Sequence, residues 1–258
     1  MAMNFFKKLS LILILIVLAS GCSGNILSAG KEYRVRYVID GDTIELDNGQ
    51  AVRYIGIDTP ETRKREGDKW VYAPDIYAEE AKEFNRKLVE GKPVRLEFDV
   101  QKKDKYNRLL AYCFIEDTFV NVKLVEEGYA LLYTFPPNIR YVDMLVKKQE
   151  EARKNNRGLW AQIMVIAAKE AKQYLDRIVT VEGKVTSVRQ SPKVTILNFG
   201  QSKFKVVVFK EGFSSFMAQG ISLKSYKGKT VRITGKVKEY KDSFEIIVHH
   251  PSAIEIAE

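Results

Sequence analysis

Within VIDGDTIELDNGQAVRYIGIDTPE, residues 38–61, Asp40 and Asp42 stand two apart, Asp58, Thr59 and Glu61 follow one hairpin later, and Arg53 lies between them. A strand that merely buries one face needs no such collection. Carboxylates hold a hard divalent cation through oxygen, an arginine fork grips a phosphate, and a spare carboxylate can orient or deprotonate a water. Cation, phosphate and water together make a site for phosphoester hydrolysis. Asp-Gly-Asp alone is an ordinary turn; Arg53 and the Asp-Thr-Pro-Glu run give it meaning. It is not an EF-hand, which would need a ligand at the position of Ile44. Both histidines lie at 249 and 250, far down the chain, so a carboxylate is the natural base for this stretch.

Alternation predicts a strand over 33–39. Thr43–Leu46, the turn Asp47-Asn48-Gly49 and Ala51–Ile57 predict a hairpin, because Asn-Gly supplies the positive φ that such turns require. The hairpin returns Asp42 towards Asp58, and alternation places Asp40 and Asp42 on one side of their strand. Residues 61–71 are polar and basic and read as a mobile loop. Asp75 is placed to cap a helix with Tyr77, Ala81, Phe84 and Leu88 at helical spacing, ended by Gly91. Strands over 94–98 and 109–115 flank a turn at 104–108. Thr118 is placed to cap a short helix over 119–127, and 129–137 reads as an aromatic loop. Asn138 is placed to open a long helix that presents Val142, Leu145, Val146, Gln149 and Ala152 on one face and closes near Gly158. Five strands and three helices in this order predict a small barrel with helices packed around it.

The texture changes after Trp160. Residues 161–177 read as a helical linker, and 178–258 is almost all strand: 178–185 pairing with 193–199, then 204–209, a short helical piece at 213–219, 230–237 and 244–248. Gly183 and Gly235 fall inside strands, where a barrel bends sharply. The order predicts a second, OB-fold-like β-barrel without a catalytic cluster. Such barrels bind single-stranded nucleic acid through aromatic and basic side chains, with Lys203, Phe204, Lys205 and Tyr240 as candidates; a structural or protein-binding barrel is equally compatible. His249 and His250 are neighbours on a strand, point to opposite faces and cannot chelate together, and so read as surface residues. Trp70 and Trp160 read as packing residues. The run Gly228-Lys229-Thr230 is not a phosphate-binding loop, because Leu223 stands where its first glycine would fall.

The chain has 258 residues, 45% hydrophobic and 29% charged, an ordinary globular composition with room for one large or two modest domains. Net charge is +9, and Lys7 and Lys8 belong to a leader whose removal leaves the rest strongly basic. Such a chain suits a polyanionic partner, either nucleic acid or an anionic membrane surface. Two cysteines, Cys22 and Cys113, exclude a disulfide framework and a cysteine metal knuckle; Cys113, in the apolar run 109–115, reads as a core residue. Residues 1–21 read as a signal peptide: the apolar run Leu9–Ala19 is about half the ~20 residues a spanning helix needs. Leu18-Ala19-Ser20-Gly21-Cys22-Ser23 resembles a bacterial lipobox, with Ala19 where leucine is usual. The resemblance implies lipidation at Cys22, a tether over 22–32 and an extracytoplasmic, membrane-anchored lipoprotein; plain secretion is the alternative.

Four motifs in order, VIDGDT, Arg53-x4-DTPE, DKYNR at 104–108 and FVNVKLVEEGYA at 119–130, resemble the staphylococcal nuclease (thermonuclease) family over residues 33–160. The resemblance implies an α+β domain on a five-stranded OB-fold-type barrel with three helices. It implies Ca²⁺-dependent hydrolysis of DNA and RNA leaving 3′-phosphates. By position, Asp42 and Asp58 would bind Ca²⁺ through carboxylates and Thr59 through its carbonyl, with Asp40 behind them. Glu61 would activate the water, and Arg53 and Arg108 would grip the phosphate. Tyr106 and Tyr133 would contact the nucleotide; the family usually has a second tyrosine where this chain has Phe135. Asn107 replaces a frequent glycine and tolerates the same left-handed backbone. Lys102, Lys103 and Lys105 read as a solvated face that raises the potential for nucleic acid, Lys105 nearest the substrate. The rival reading is a non-catalytic lipoprotein that binds nucleic acid or protein on the nuclease fold. The chain is treated as a monomer.

Overall fold

The computed structural model describes residues 33–257, so the leader, the tether and Cys22 lie outside the described residues. The first half runs β1 (Tyr33–Asp40), β2 (Thr43–Leu46), β3 (Ala51–Tyr54), β4 (Gly56–Asp58), β5 (Arg63–Glu66), β6 (Lys69–Tyr72), α1 (Ala78–Val89), β7 (Pro93–Glu97), β8 (Leu109–Ile115), β9 (Thr118–Phe119), α2 (Val120–Glu126), β10 (Leu131–Tyr133) and α3 (Val142–Lys154). β1 pairs with β2 and β2 with β3; β3 then runs parallel to β8, β8 pairs with β7, and β7 returns to β1. Five strands thus close into a barrel with no free edge in the circuit. Ile44, Leu46, Val52 and Ile57 fill it, and Leu124 and Val125 of α2 and Leu145 of α3 complete the core, with Phe84 and Leu88 of α1 packed against it. Cys113 is fully buried there. The α+β barrel with three helices is therefore present.

Several local expectations are corrected. Residues 61–71 are not a loop: β5 and β6 form an antiparallel hairpin in which Arg63 pairs with Tyr72 and Glu66 with Lys69. Its side chains are mostly polar, so no buried face betrays it, and Trp70 is 66% exposed instead of packed. Asp75 does not cap α1; Tyr77 precedes the helix in a left-handed conformation with no side-chain cap. Thr118 and Phe119 belong to β9, paired with the end of β8, and α2 begins after them. The aromatic segment contains β10, antiparallel to β4. Asn138 lies ahead of α3 and uses its amide to pair with the backbone of Gln101, at 2.8 and 2.7 Å.

The second half comprises β11 (Val165–Ala167), a 3-10 helix over Ala168–Tyr174 within the stretch read as a helical linker, β12 (Ile178–Lys184), β13 (Ser187–Gln190), β14 (Val194–Asn198), β15 (Phe204–Phe209), α4 (Lys210–Ala218), β16 (Thr230–Lys236), β17 (Lys238–Tyr240), β18 (Ser243–Ile247) and β19 (Ile254–Ile256). The expected pairing of 178–185 with 193–199 is corrected: β12 pairs with β16, while β14 lies between β13 and β15. β15 and β18 are parallel, and the chain between them passes through α4. The ladders form two sheets, β11-β12-β16-β19 and β13-β14-β15-β18-β17, sharing one core of Val181, Leu197, Phe204, Phe216, Ile233 and Ile246. A closed circuit of strands is seen only in the first half among the described residues. Gly183 and Gly235 mark close approach between the sheets: a Cβ on Gly235 would stand 2.5 Å from Ile246, and one on Gly183 2.9 Å from Phe199. Phe204, a candidate base-stacking residue, is a core residue, whereas Tyr240 is exposed.

Candidate active site

The tight β1–β2 connection carries Asp40-Gly41-Asp42 and lies against the segment that follows β4. Only glycine fits at 41, because a Cβ there would meet Thr59 Oγ1 at 2.6 Å. Asp42 is buried, accepting from the Thr43 hydroxyl on one oxygen and from the Thr59 amide on the other, each at 2.9 Å. Arg53, on β3 opposite Thr43, brings Nη2 to 3.0 Å from Asp42 and 2.7 Å from Asp58. Its Nη1 donates to the carbonyls of Tyr54 and Ile57 at 3.0 and 2.8 Å. One guanidinium therefore ties both aspartates to the β3–β4 corner. Asp40 accepts from the amides of Gly41 and Thr62 and hydrogen-bonds the Glu61 carboxyl.

The electrostatics show a shortage of positive charge. Loss of water pushes the Asp58 carboxyl up to about 6, with Arg53 pulling it back and Asp42 adding repulsion. Glu61 lies at the rim, yet loss of water around its carboxyl and repulsion from Asp42 and Asp40 push it up to about 8. Asp40 is raised too, chiefly by burial. Burial disfavours the Arg53 cation, but Asp42, Asp58 and Glu61 more than offset this and raise its pKa. Among the described residues no three His, Cys, Asp or Glu side chains form a ready metal cage. The Asp42 and Asp58 side chains offer oxygen donors alone, the kind that suits a hard cation. The crowded acids are the structural reason that such a cation fits.

The turn at 104–108 is built around Asp104, which accepts from the amides of Tyr106 and Arg108 and, at 2.7 Å, from Arg108 Nε. Asn107 has φ 65°, the left-handed conformation expected of it. Tyr106 is exposed, with Lys105 Nζ 5.0 Å and Arg108 Cζ 5.6 Å from its ring centre. Arg108 holds Asp104 and does not join the Arg53 cluster directly. The ladder still brings the turn near: Arg53 pairs with Leu110, two residues beyond Arg108.

A model of the family described as staphylococcal nuclease homologue matches residues 51–162. The thermonuclease of Staphylococcus intermedius is 42% identical over 134 residues, 51% of this chain and 77% of that protein. The thermonuclease of Staphylococcus hyicus is 37% identical over 148 residues, 54% of this chain and 85% of its own length. This chain belongs to the staphylococcal nuclease family. Endonuclease YncB of Bacillus subtilis is 37% identical over 129 residues, 48% of this chain and 59% of that protein.

Family residues meet the second half of the chain at a cleft of about 310 Å³. Asp58, Glu61 and Tyr133 line one wall, and Phe209, Lys236, Lys238 and His249 the other. Tyr133 sits on β10 opposite Gly56, and its ring centre is 4.5 Å from that of His249. Sequence reasoning missed Asp75, Lys236 and His249. Asp75 accepts from the Glu61 amide at 3.2 Å, pairs with Lys64 at 3.2 Å and holds Lys236 at 2.6 Å. Lys236 is 161 residues away in the chain, so no local pattern could reveal the link.

The histidines are neither surface residues nor part of a strand, since β18 ends at Ile247 ahead of them. His250 is 5% exposed and accepts the Ser252 amide on Nδ1. Burial pushes both histidines down to about 4 from an ordinary 6.5. The folded state therefore resists their protonation: this contribution to stability is intact above about 6.5 and is lost as pH falls towards 4. In urea melts, His250→Asn, which keeps an acceptor for Ser252, is expected to lose less stability than the parent between pH 7 and pH 5. Parallel losses in the two proteins would remove His250 as a source of acid sensitivity.

Proposed function

We propose that this chain is a Ca²⁺-dependent nuclease that hydrolyses DNA or RNA phosphodiesters and leaves 3′-phosphates. The observation that carries the reading is the buried Arg53 clasp on Asp42 and Asp58 beside the crowded Glu61 carboxyl. Membership of a family whose named relatives are thermonucleases and endonucleases supports it. Asp42, Asp58 and the Thr59 carbonyl would hold the ion, which when bound polarises the phosphate and lowers the pKa of its water. Glu61 would orient the attacking water and take its proton. Asp40 holds the Glu61 side chain in place. Arg53 and Arg108 make charge-assisted hydrogen bonds to the phosphate and spread the charge that accumulates as the bond to the 5′-oxygen breaks. Tyr133 and Tyr106 contact the nucleotide, and Lys105 raises the local potential.

The deciding experiment is cleavage of single- and double-stranded DNA and of RNA by the purified full chain with Ca²⁺ and with chelator. Cleavage that chelator abolishes supports the reading. Tight binding without cleavage under Ca²⁺, Mg²⁺ or Mn²⁺ would move the protein to the non-catalytic binding class. The location proposed with this function is extracytoplasmic and lipid-anchored, a reading supported by the Lys7-Lys8 leader and the lipobox-like run ending at Cys22. Expressed in a bacterium that processes lipoproteins, the chain is expected in the membrane fraction and its Cys22→Ser form outside it. Equal membrane association of both would discard lipidation at Cys22.

A further inference from the structure

The cleft wall opposite Asp58 and Glu61 comes from residues 209–249, beyond the stretch 51–162 that the family model matches. We propose that this wall is a binding site for one nucleic-acid strand, with Lys238 taking a backbone phosphate and His249 and Phe209, together with Tyr133 from the facing wall, forming the surface against which a base lies. The inference rests on the nuclease reading of the adjoining carboxylates.

Charge is the first support. Lys236 and Lys238 both line the cleft together with Asp58 and Glu61. Their roles differ. Lys236 is committed to Asp75, and Asp75 also holds the Glu61 amide, so Lys236 is a strut that fixes the wall relative to the turn bearing Glu61. Lys238 is exposed and has no ion pair among the described residues. Its ammonium is the one on this wall available to an incoming anion.

The second support is the company of rings. Tyr133 is 37% exposed and Phe209 41% exposed, both at the cleft. Tyr133 lies 4.5 Å from His249 with the planes inclined at 57°, and Phe135 lies 6.1 Å from the same imidazole. Open aromatic faces beside a basic side chain are how single strands are held without regard to sequence. Burial keeps His249 neutral at neutral pH, so it offers a flat ring instead of a second cation. In a duplex the base faces are covered by their neighbours, and only an unpaired strand could present one to these rings. The second half of the chain therefore favours single-stranded substrate at a site whose chemistry lies in the first half.

The test uses the full chain and a fluorescently labelled single-stranded oligonucleotide. Anisotropy in chelator, across a salt series, gives binding without cleavage; initial rates with Ca²⁺ give KM and kcat. Lys238→Ala is expected to weaken binding and raise KM by about tenfold, with a smaller change in kcat, and to reduce the slope of log Kd against log salt by about 0.7. Lys238→Arg should restore the slope. Phe209→Ala should weaken binding by about tenfold with the slope intact, since it removes stacking and no charge. Both positions are exposed, so neither substitution empties a core. Parent-like affinity and slope in Lys238→Ala and Phe209→Ala would overturn the wall while leaving any Ca²⁺-dependent cleavage standing. A parent that binds through Lys238 but cleaves nothing would uphold the wall and remove the nuclease reading instead.

Discussion

Glu61→Gln is expected to lower kcat for nucleic-acid cleavage by about 10²–10⁴-fold, the range associated with losing a positioned general base. Glutamine keeps the shape and the backbone amide that Asp75 accepts at 3.2 Å, but it cannot take a proton. The same substitution should not destabilise the protein. Glu61 sits at the rim, and its carboxyl is repelled by Asp42, Asp40 and Asp58, so a neutral amide relieves a strain among like charges. Activity lost with stability kept or gained is the signature of a residue held for chemistry against the interest of the fold. Initial rates and a thermal melt of the same preparation provide both numbers. Activity within threefold of the parent would show that Glu61 is not the base and would direct attention to Asp40, which shares its hydrogen bond.

What could be read from the sequence was whatever depended on neighbours in the chain. The hairpin 43–54 was legible because its turn is Asn-Gly and its strands alternate, and from it the meeting of Asp42 with Asp58 followed. Asn107 was legible only through the resemblance to the family, which has a frequent glycine at that place in the turn. The hairpin 63–72 was not, since Arg63, Lys64, Arg65 and Glu66 bury no face and resemble a solvated loop. Asp75 carried a helix-cap signal, yet contact with Lys64 and Lys236 recruited it elsewhere. Nor could the histidines be placed: adjacency on a strand says that two side chains diverge, and says nothing of whether each meets water or another part of the protein. The aromatic and basic wall is assembled from residues 209, 238 and 249 against residue 133, and only the packing of the two halves brings them together.

Substitution of Arg53 separates charge from geometry. The guanidinium is 14% exposed and meets Asp42, Asp58 and two carbonyls. Arg53→Gln leaves the buried Asp42 without its cation beside a half-exposed Asp58, and stability is expected to fall by about 3 kcal/mol, the lower end of the cost of breaking a buried pair. Cleavage should drop by at least about 10²-fold, as when one donor to a developing negative charge is removed. Arg53→Lys returns the charge but not the fork: one ammonium cannot serve both carboxylates and both carbonyls at once. Stability should therefore recover in part while cleavage remains at least about 10²-fold below the parent. Urea melts with and without Ca²⁺ add a second discriminator. If Asp42 and Asp58 hold a divalent ion, Ca²⁺ should raise the unfolding midpoint of Arg53→Gln more than that of the parent, because the ion then offsets charge that no guanidinium shares. A Ca²⁺ response equal to the parent's would detach the ion from these aspartates. Full activity in Arg53→Lys would mean that a point charge suffices at this position, and that the contacts to Tyr54 and Ile57 serve the fold alone.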